Sequence, residues 1–87
     1  MERPVTIVNP LGLHARPAAQ FVKMAATFSS HIELLKDGSA INGKSIMGVM
    51  VLAAECGSSF TIRADGADAE LAVAALADLV AAGFGEK

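Results

Sequence analysis

The sequence predicts a small α+β domain in which an antiparallel or mixed sheet is covered by helices on one face. Three observations lead to this fold class: short β-branched or alternating segments, longer segments with apolar residues at helical spacing, and an Asp-Gly turn between two strands. The elements follow in the order βαββαβα. The chain has 87 residues, 53% of them hydrophobic, so we predict a single domain over residues 1–87 with one core.

The first strand and helix flank a loop. The β-branched run Pro4–Val8 predicts a strand, and Asn9-Pro10 with Gly12 predicts the loop that follows. From Ala15 onward, apolar residues recur at helical spacing, with Pro17 in the first turn, where a missing amide hydrogen costs nothing. The apolar stripe consists of Ala18, Phe21, Val22, Ala25 and Phe28, and the outer face of Arg16, Ala19, Gln20, Lys23 and Thr27.

A hairpin and a short helix come next. The segment His31–Lys36 alternates between apolar and polar residues, and Asp37-Gly38 favours a type I′ turn into the return strand Ser39–Asn42. Ser45 then occupies an N-cap position before a helix that we expect to run from Ile46 to Ala53. We expect Gly57 to end this helix.

The last strand and helix complete the order. The alternation of Phe60, Ile62 and Ala64 with polar residues predicts a strand, and the turn residues 65–68 introduce a helix that ends before Gly83. The apolar stripe of this helix consists of Ala72, Val73, Leu76, Leu79 and Val80.

Composition excludes several classes of function. The chain has a net charge of −2 and lacks Trp and Tyr, which argues against binding nucleic acid. It lacks the apolar run of about 18 residues that a membrane span needs, and its N-terminus does not resemble a signal peptide, so we expect a cytoplasmic protein. The lone Cys56 cannot form an internal disulfide, and His31 is expected to be a surface strand residue. No metal-ligand cluster or glycine-rich phosphate loop is evident, so we expect neither metal nor cofactor.

His14 is the strongest candidate for chemistry, because it stands where the loop turns into the first helix. An unperturbed imidazole titrates at about pH 6.5, so near neutral pH its nitrogen lone pair can attack phosphorus without a separate base. The first amides of the helix and the cation of Arg16 would stabilise the oxygens of an incoming phosphoryl group. By itself, a lone histidine in this position is more often a helix cap or a solvated loop residue.

Two motifs resemble the HPr family, the histidine-containing phosphocarriers of the bacterial phosphoenolpyruvate-dependent phosphotransferase system. Residues 9–18, Asn-Pro-Leu-Gly-Leu-His-Ala-Arg-Pro-Ala, are similar to the family's phosphohistidine signature, and residues 42–50, Asn-Gly-Lys-Ser-Ile-Met-Gly-Val-Met, to its regulatory serine signature. The resemblance implies an open-faced β-sandwich with a four-stranded antiparallel sheet covered on one face by three helices.

The resemblance also implies residue roles. His14 would accept phosphate through Nδ1 from phosphorylated enzyme I and pass it to an enzyme IIA domain. Arg16 would stabilise the phosphate, Pro17 would start the helix, and Ser45 would be modified by an ATP-dependent kinase/phosphorylase. The positions that match the family's partner contacts are Ala19, Lys23, Ile46, Met47 and Met50. The protein would be a carrier rather than an enzyme, with other proteins as its donor and acceptor. Its oligomeric state stays open on the sequence, although a monomer suits a shuttle that must expose one face repeatedly.

Several alternatives stay open on the sequence. A relay in sugar uptake competes with a regulatory binding module of the nitrogen-related branch of the same system. Residues 16–23 resemble the sugar-uptake carriers, whereas residues 80–84 resemble the nitrogen-related branch. A non-phosphorylated structural module is disfavoured because the histidine is present. Ser45 acts as a helix cap with or without phosphorylation. In the short helix after Ser45, we assign Val49 and Leu52 to the core, which leaves Ile46, Met47 and Met50 exposed, although core filling by these three is the alternative.

Overall fold

Four strands and three helices follow one another in the order that the sequence predicts. The structure is a computed structural model that describes residues 1–52 and 55–85. The strands are β1 (Glu2–Thr6), β2 (His31–Lys36), β3 (Ser39–Asn42) and β4 (Ser59–Asp65). The helices are α1 (Ala15–Ala25), α2 (Ile46–Val51) and α3 (Ala69–Ala81), followed by a 3₁₀ helix at Gly83–Gly85.

The four strands form one antiparallel sheet in the order β1-β4-β2-β3. The last strand in the chain therefore lies in the middle, with Phe60 opposite Val5 of β1 and Ile62 opposite Leu34 of β2. This pairing settles the choice between a mixed and an antiparallel sheet. It confirms the open-faced sandwich that the family resemblance implies.

The helices cover one face of the sheet, and the core lies between the two layers. Along β2 and β4, alternate apolar residues such as Ile32, Leu34 and Ile62 are fully buried beneath the helices. On the opposite, open face, Arg63 Nε donates to Glu33 Oε1 at 3.0 Å. This hydrogen bond to the guanidinium lowers the pKa of Glu33 from its ordinary value. The sheet thus has one apolar and one solvated face.

The hairpin between β2 and β3 has the predicted turn. Asp37 and Gly38 both have positive φ, 51° and 80°, as a type I′ turn requires. Lys36 consequently pairs with Ser39 across the turn.

Strand β1 differs from its predicted bounds, because it spans Glu2–Thr6 rather than Pro4–Val8. Its extent is set by β4, whose last pairing residue on that side, Ser59, faces Thr6. Ile7 still donates to the Ser58 carbonyl at 2.9 Å, but Val8 is exposed. Pro4 fits because β1 is an edge strand, where a missing amide hydrogen can face solvent.

The prediction that Gly57 ends the second helix is wrong. Helix α2 ends at Val51, with Leu52 as its C-cap, and the predicted end Ala53 lies outside the described residues. Gly57 instead has a φ of 89°, and its amide donates to the Ile7 carbonyl at 2.8 Å in the turn that leads into β4. A glycine signals positive φ, which a turn needs as often as a helix end does.

Two smaller points concern the other helices. Phe28, assigned to the stripe of the first helix, lies beyond its end at Ala25 but still packs against the core. Helix α3 ends at Ala81, and Gly83 has a φ of 64°, which confirms the predicted stop. In the part of the chain that the structure describes, no helix is long and apolar enough to span a membrane.

Candidate functional site

The loop before α1 is a tight turn. The amide of Gly12 donates to the Asn9 carbonyl at 3.1 Å, which closes a four-residue turn with Pro10 in its second position. Asn, Pro and Gly at the first, second and fourth positions are typical of a β-turn. Gly12 is buried and has a φ of 67°, a conformation that favours glycine. The local sequence therefore sets the path of the chain into His14.

His14 is the N-cap residue of α1. Its backbone is extended, with φ −79° and ψ −172°, and its carbonyl accepts the amide of Ala18 at 3.0 Å. The imidazole makes no capping hydrogen bond to the helix and is half-buried. The backbone of His14 thus starts the helix, while its side chain is not committed to capping it.

His14 lies between buried residues that hold its backbone in place, and it is close to positively charged groups. Leu13 and Pro17 on either side of it are buried, whereas Arg16 is exposed. The amides of Ala15 and Arg16 have no acceptor within the helix, because the first turn of a helix lacks preceding carbonyls. The first turn carries no acidic residue. This helix end therefore suits an anion bound near the imidazole.

Ser45 caps α2 as predicted. Its Oγ accepts a hydrogen bond from the amide of Gly48 at 3.1 Å, and its carbonyl accepts the amide of Val49 at 2.9 Å. The residue is half-buried at the edge of the exposed side of α2. The capping role is therefore present in the unmodified protein.

The residues that match partner contacts lie on two adjacent helices. Helices α1 and α2 pack against each other. We call the five residues on them that match partner contacts the α1–α2 surface: Ala19, Lys23, Ile46, Met47 and Met50. All five are exposed, and Met47 retains 75% of its accessible area. Val49 and Leu52 are buried in the core. The predicted division of α2 into core and exposed residues is confirmed, and the alternative of core filling is wrong.

The two modification candidates lie towards opposite ends of α1. His14 precedes the helix, whereas Lys44, next to Ser45, reaches past its other end and donates from Nζ to the Phe28 carbonyl at 2.8 Å. An 11-residue helix is about 16 Å long. Ser45 therefore lies nearer the C-terminal end of α1, and His14 lies at its N-terminal end.

Two residues matter here that the sequence analysis does not single out as functional. Lys44 joins α2 to the end of α1, and Asn9 is a buried polar side chain in the turn before His14. The Asn-Pro pair signals a turn, but no local pattern shows that Asn9 is buried or that Lys44 meets Phe28. Within residues 1–52 and 55–85, no group of three His, Cys, Asp or Glu could hold a metal ion.

The comparisons with known proteins agree with one another. A family model described as the PTS HPr component phosphorylation site matches residues 1–82. The phosphocarrier protein HPr of Cupriavidus necator is 45% identical over 86 residues, which cover 99% of this chain and 97% of that protein. The crystal structure of HPr from Thermoanaerobacter tengcongensis matches with a TM-score of 0.96 at 47% identity, covering 100% of this chain and 98% of that one.

A second solved structure gives the same result. The phosphocarrier protein HPr from Bacillus anthracis matches with a TM-score of 0.88 at 48% identity, covering 92% of this chain and 95% of that one. Both sequence and fold therefore agree over nearly the whole chain. The chain belongs to the HPr family of the phosphotransferase system, and it is a phosphocarrier protein rather than an enzyme.

Proposed function

We propose that His14 accepts a phosphoryl group from phosphorylated enzyme I and donates it to an enzyme IIA domain. The observation that supports this role is the position of His14 as the N-cap of α1, with its side chain not used for capping. Its neighbours Leu13 and Pro17 are buried, so the backbone that presents the imidazole is held in place. The family's residue roles, carried over by sequence position, agree with this arrangement.

The chemistry requires little of the protein beyond positioning and charge. A lone pair on the imidazole attacks phosphorus, and the bond from nitrogen to phosphorus forms while the bond to the donor breaks. The oxygens of the transferred phosphoryl group are stabilised by the amides in the first turn of α1 and by the exposed guanidinium of Arg16. Such a helix end stabilises an exposed anion by about 0.3–1 kcal/mol. This is too little to trap the group, so a nucleophile of enzyme IIA can remove it in a second transfer.

Docking of both partners is assigned to the α1–α2 surface. Its exposed apolar residues are Ile46, Met47 and Met50. The two methionines are unbranched and flexible, so they can adapt to different partner surfaces. Lys23 adds a positive charge on the same side. The carrier must present this surface to successive partners in the cytoplasm, which a monomer does without competition from a second copy.

Ser45 is the proposed regulatory residue. Phosphorylation by an ATP-dependent kinase would place nearly two negative charges at the edge of the α1–α2 surface. The charge suits the start of α2, because the first amides of a helix favour an anion. It opposes docking of an apolar or acidic partner surface. Regulation would therefore change partner binding while leaving the fold intact.

The decisive experiment measures phosphate on His14. The protein is incubated with phosphoenolpyruvate and enzyme I, and acid-labile phosphate is measured in the wild type, in His14→Ala and in His31→Ala. His31 is an exposed strand residue and serves as the control. We expect labelling of the wild type and of His31→Ala, and none of His14→Ala. Label on folded His14→Ala would show that the acceptor is another residue.

The enzyme IIA that accepts the phosphoryl group tests which branch of the phosphotransferase system the protein serves. The relatives compared above carry the name HPr, which supports the general relay in sugar uptake. Transfer from phosphorylated protein to a sugar-specific enzyme IIA is expected to be faster than transfer to a nitrogen-type enzyme IIA. Selective transfer to the nitrogen-type domain would support the regulatory module instead.

A further inference from the structure

Asn9 is a buried polar residue in the turn that precedes the candidate phosphorylation site. It retains only 2% of its accessible area, and its Nδ2 donates to the Gly12 carbonyl at 2.8 Å. The same two residues are also joined through the backbone, because the Gly12 amide donates to the Asn9 carbonyl at 3.1 Å. Two hydrogen bonds therefore hold Gly12 to Asn9.

The same carbonyl of Gly12 connects this turn to His14. It also accepts the backbone amide of His14, at 3.0 Å. The orientation of one peptide group, held on one side by Asn9 Nδ2, thus helps to set the backbone position of His14. The side-chain hydrogen bond from Asn9 therefore adds a restraint on this peptide to the one that the main chain supplies.

The segment after α3 encloses Asn9 from behind. A Cβ added to Gly83 would lie 3.7 Å from Asn9 Cβ and 3.5 Å from Val8 Cγ2, so the backbone of this glycine packs directly against the turn. Phe84, buried and with a φ of 57°, follows immediately. A hydrogen bond shielded from water is stronger than an exposed one, and breaking it leaves buried polar groups unpaired.

We propose that Asn9 is a positioning residue for phosphoryl transfer, acting through the Gly12 carbonyl to hold His14 at the start of α1. The inference rests on the proposed role of His14. Phosphoryl transfer in this protein depends on alignment of the imidazole with an incoming phosphorus, and a displacement of about 1 Å can slow such a step up to about 100-fold. Because its side chain is buried, we assign Asn9 a role through the backbone rather than a direct contact with the phosphoryl group.

The test compares three variants under conditions in which each is folded. Asn9→Ala removes the donor, and Asn9→Asp keeps the shape while replacing the Nδ2 donor by an acceptor, in case the alanine variant does not fold. Ser30→Ala is the matched control, because Ser30 is equally buried and also binds through its side chain, but to Asp68 beyond the far end of α1. Two quantities are measured: the rate of His14 phosphorylation by enzyme I, and hydrogen exchange of the His14 backbone amide by NMR.

We expect the Asn9 variants to be phosphorylated about 10- to 100-fold more slowly than the wild type and to exchange the His14 amide faster. Ser30→Ala should lose thermal stability while keeping the wild-type rate and the wild-type exchange at His14. The proposal requires both effects at Asn9, and the absence of either one overturns it, as does an equal slowing in Ser30→Ala. If the wild type takes up no phosphate on His14, the proposed function fails, and amide exchange still decides whether Asn9 holds His14.

Discussion

Lys44 Nζ donates a hydrogen bond to the backbone carbonyl of Phe28 at 2.8 Å. Lys44 directly precedes Ser45, the N-cap of α2, so this bond connects the start of α2 to the segment after α1. Phe28 lies three residues beyond Ala25, the last residue of α1, so the contact ties Lys44 to the segment that follows this helix. It adds to the direct packing of α1 against α2. It also places Ser45 next to α1.

We predict that Lys44→Met lowers the free energy of unfolding by about 1 kcal/mol, the typical net value of a hydrogen bond. Urea unfolding monitored by circular dichroism measures the change. Lys23→Met is the control, because Lys23 carries the same charge in the last turn of α1 but is exposed. Equal stability of Lys44→Met and the wild type would show that the contact contributes nothing in solution.

Ser45→Asp should leave the fold intact, because aspartate is as good an N-cap as serine. The added charge at the α1–α2 surface should raise the KM of enzyme I for this protein about tenfold, which corresponds to about 1.4 kcal/mol of binding free energy. Steady-state phosphorylation assays and thermal melting measure the two quantities. Ser39→Asp places the same charge on the exposed edge strand β3 and should have no effect. A wild-type KM with wild-type melting would remove the regulatory proposal.

Met47→Ala should weaken docking without affecting stability, because the side chain is 75% exposed. Fewer than about 30% of interface side chains cost more than about 1 kcal/mol when truncated. Met47 is the most exposed of the three apolar residues on this surface, so we expect a cost of about 1 kcal/mol and a rise in KM for enzyme I of about fivefold. Leu71→Ala is the matched control: Leu71 lies on α3, is 69% exposed and is outside the α1–α2 surface. If both variants behave alike, docking does not use α2.

Stability in acid should depend on Asp68, whose carboxylate accepts the Ser30 hydroxyl and the amides of Ser29 and Ser30, at 2.9 and 3.0 Å. The hydrogen bond from the Ser30 hydroxyl, followed by that from the Ser29 amide, lowers the pKa of Asp68 from 3.8 to about 2. Because the folded-state pKa is the lower one, the stabilisation is complete above about pH 4 and is lost as the pH falls towards 2.

The measurement is urea unfolding of the wild type and Asp68→Asn between pH 6 and pH 2. The wild type should be the more stable at pH 6, and the difference should shrink as the pH falls. Asp78→Asn, an exposed position on α3, is the control and should show no such trend. A difference between the wild type and Asp68→Asn that does not change with pH would contradict the prediction.

Local patterns predicted the elements well, because periodicity, capping and turn residues act over a few neighbouring residues. The Asp37-Gly38 turn, the Ser45 cap and the position of His14 before α1 all follow from such short-range rules. The two clear errors, the bounds of β1 and the role assigned to Gly57, have a common cause. Both depend on where β4 pairs with β1, which is a contact across more than 50 residues.

The amino-acid sequence by itself determined the element order and the helix that begins after His14, because each is encoded in residues that are close in the chain. For α2 it favoured an exposed apolar side but left core filling open, and the burial of each residue in the structure decided between the two. Tertiary structure alone decided that β4 lies between β1 and β2, that Lys44 meets Phe28 and that Asn9 is buried beside Gly83. These contacts join segments that are distant in the sequence. Which residue a side chain meets in such a contact depends on how the helices pack on the sheet, and its neighbours in the sequence do not decide it.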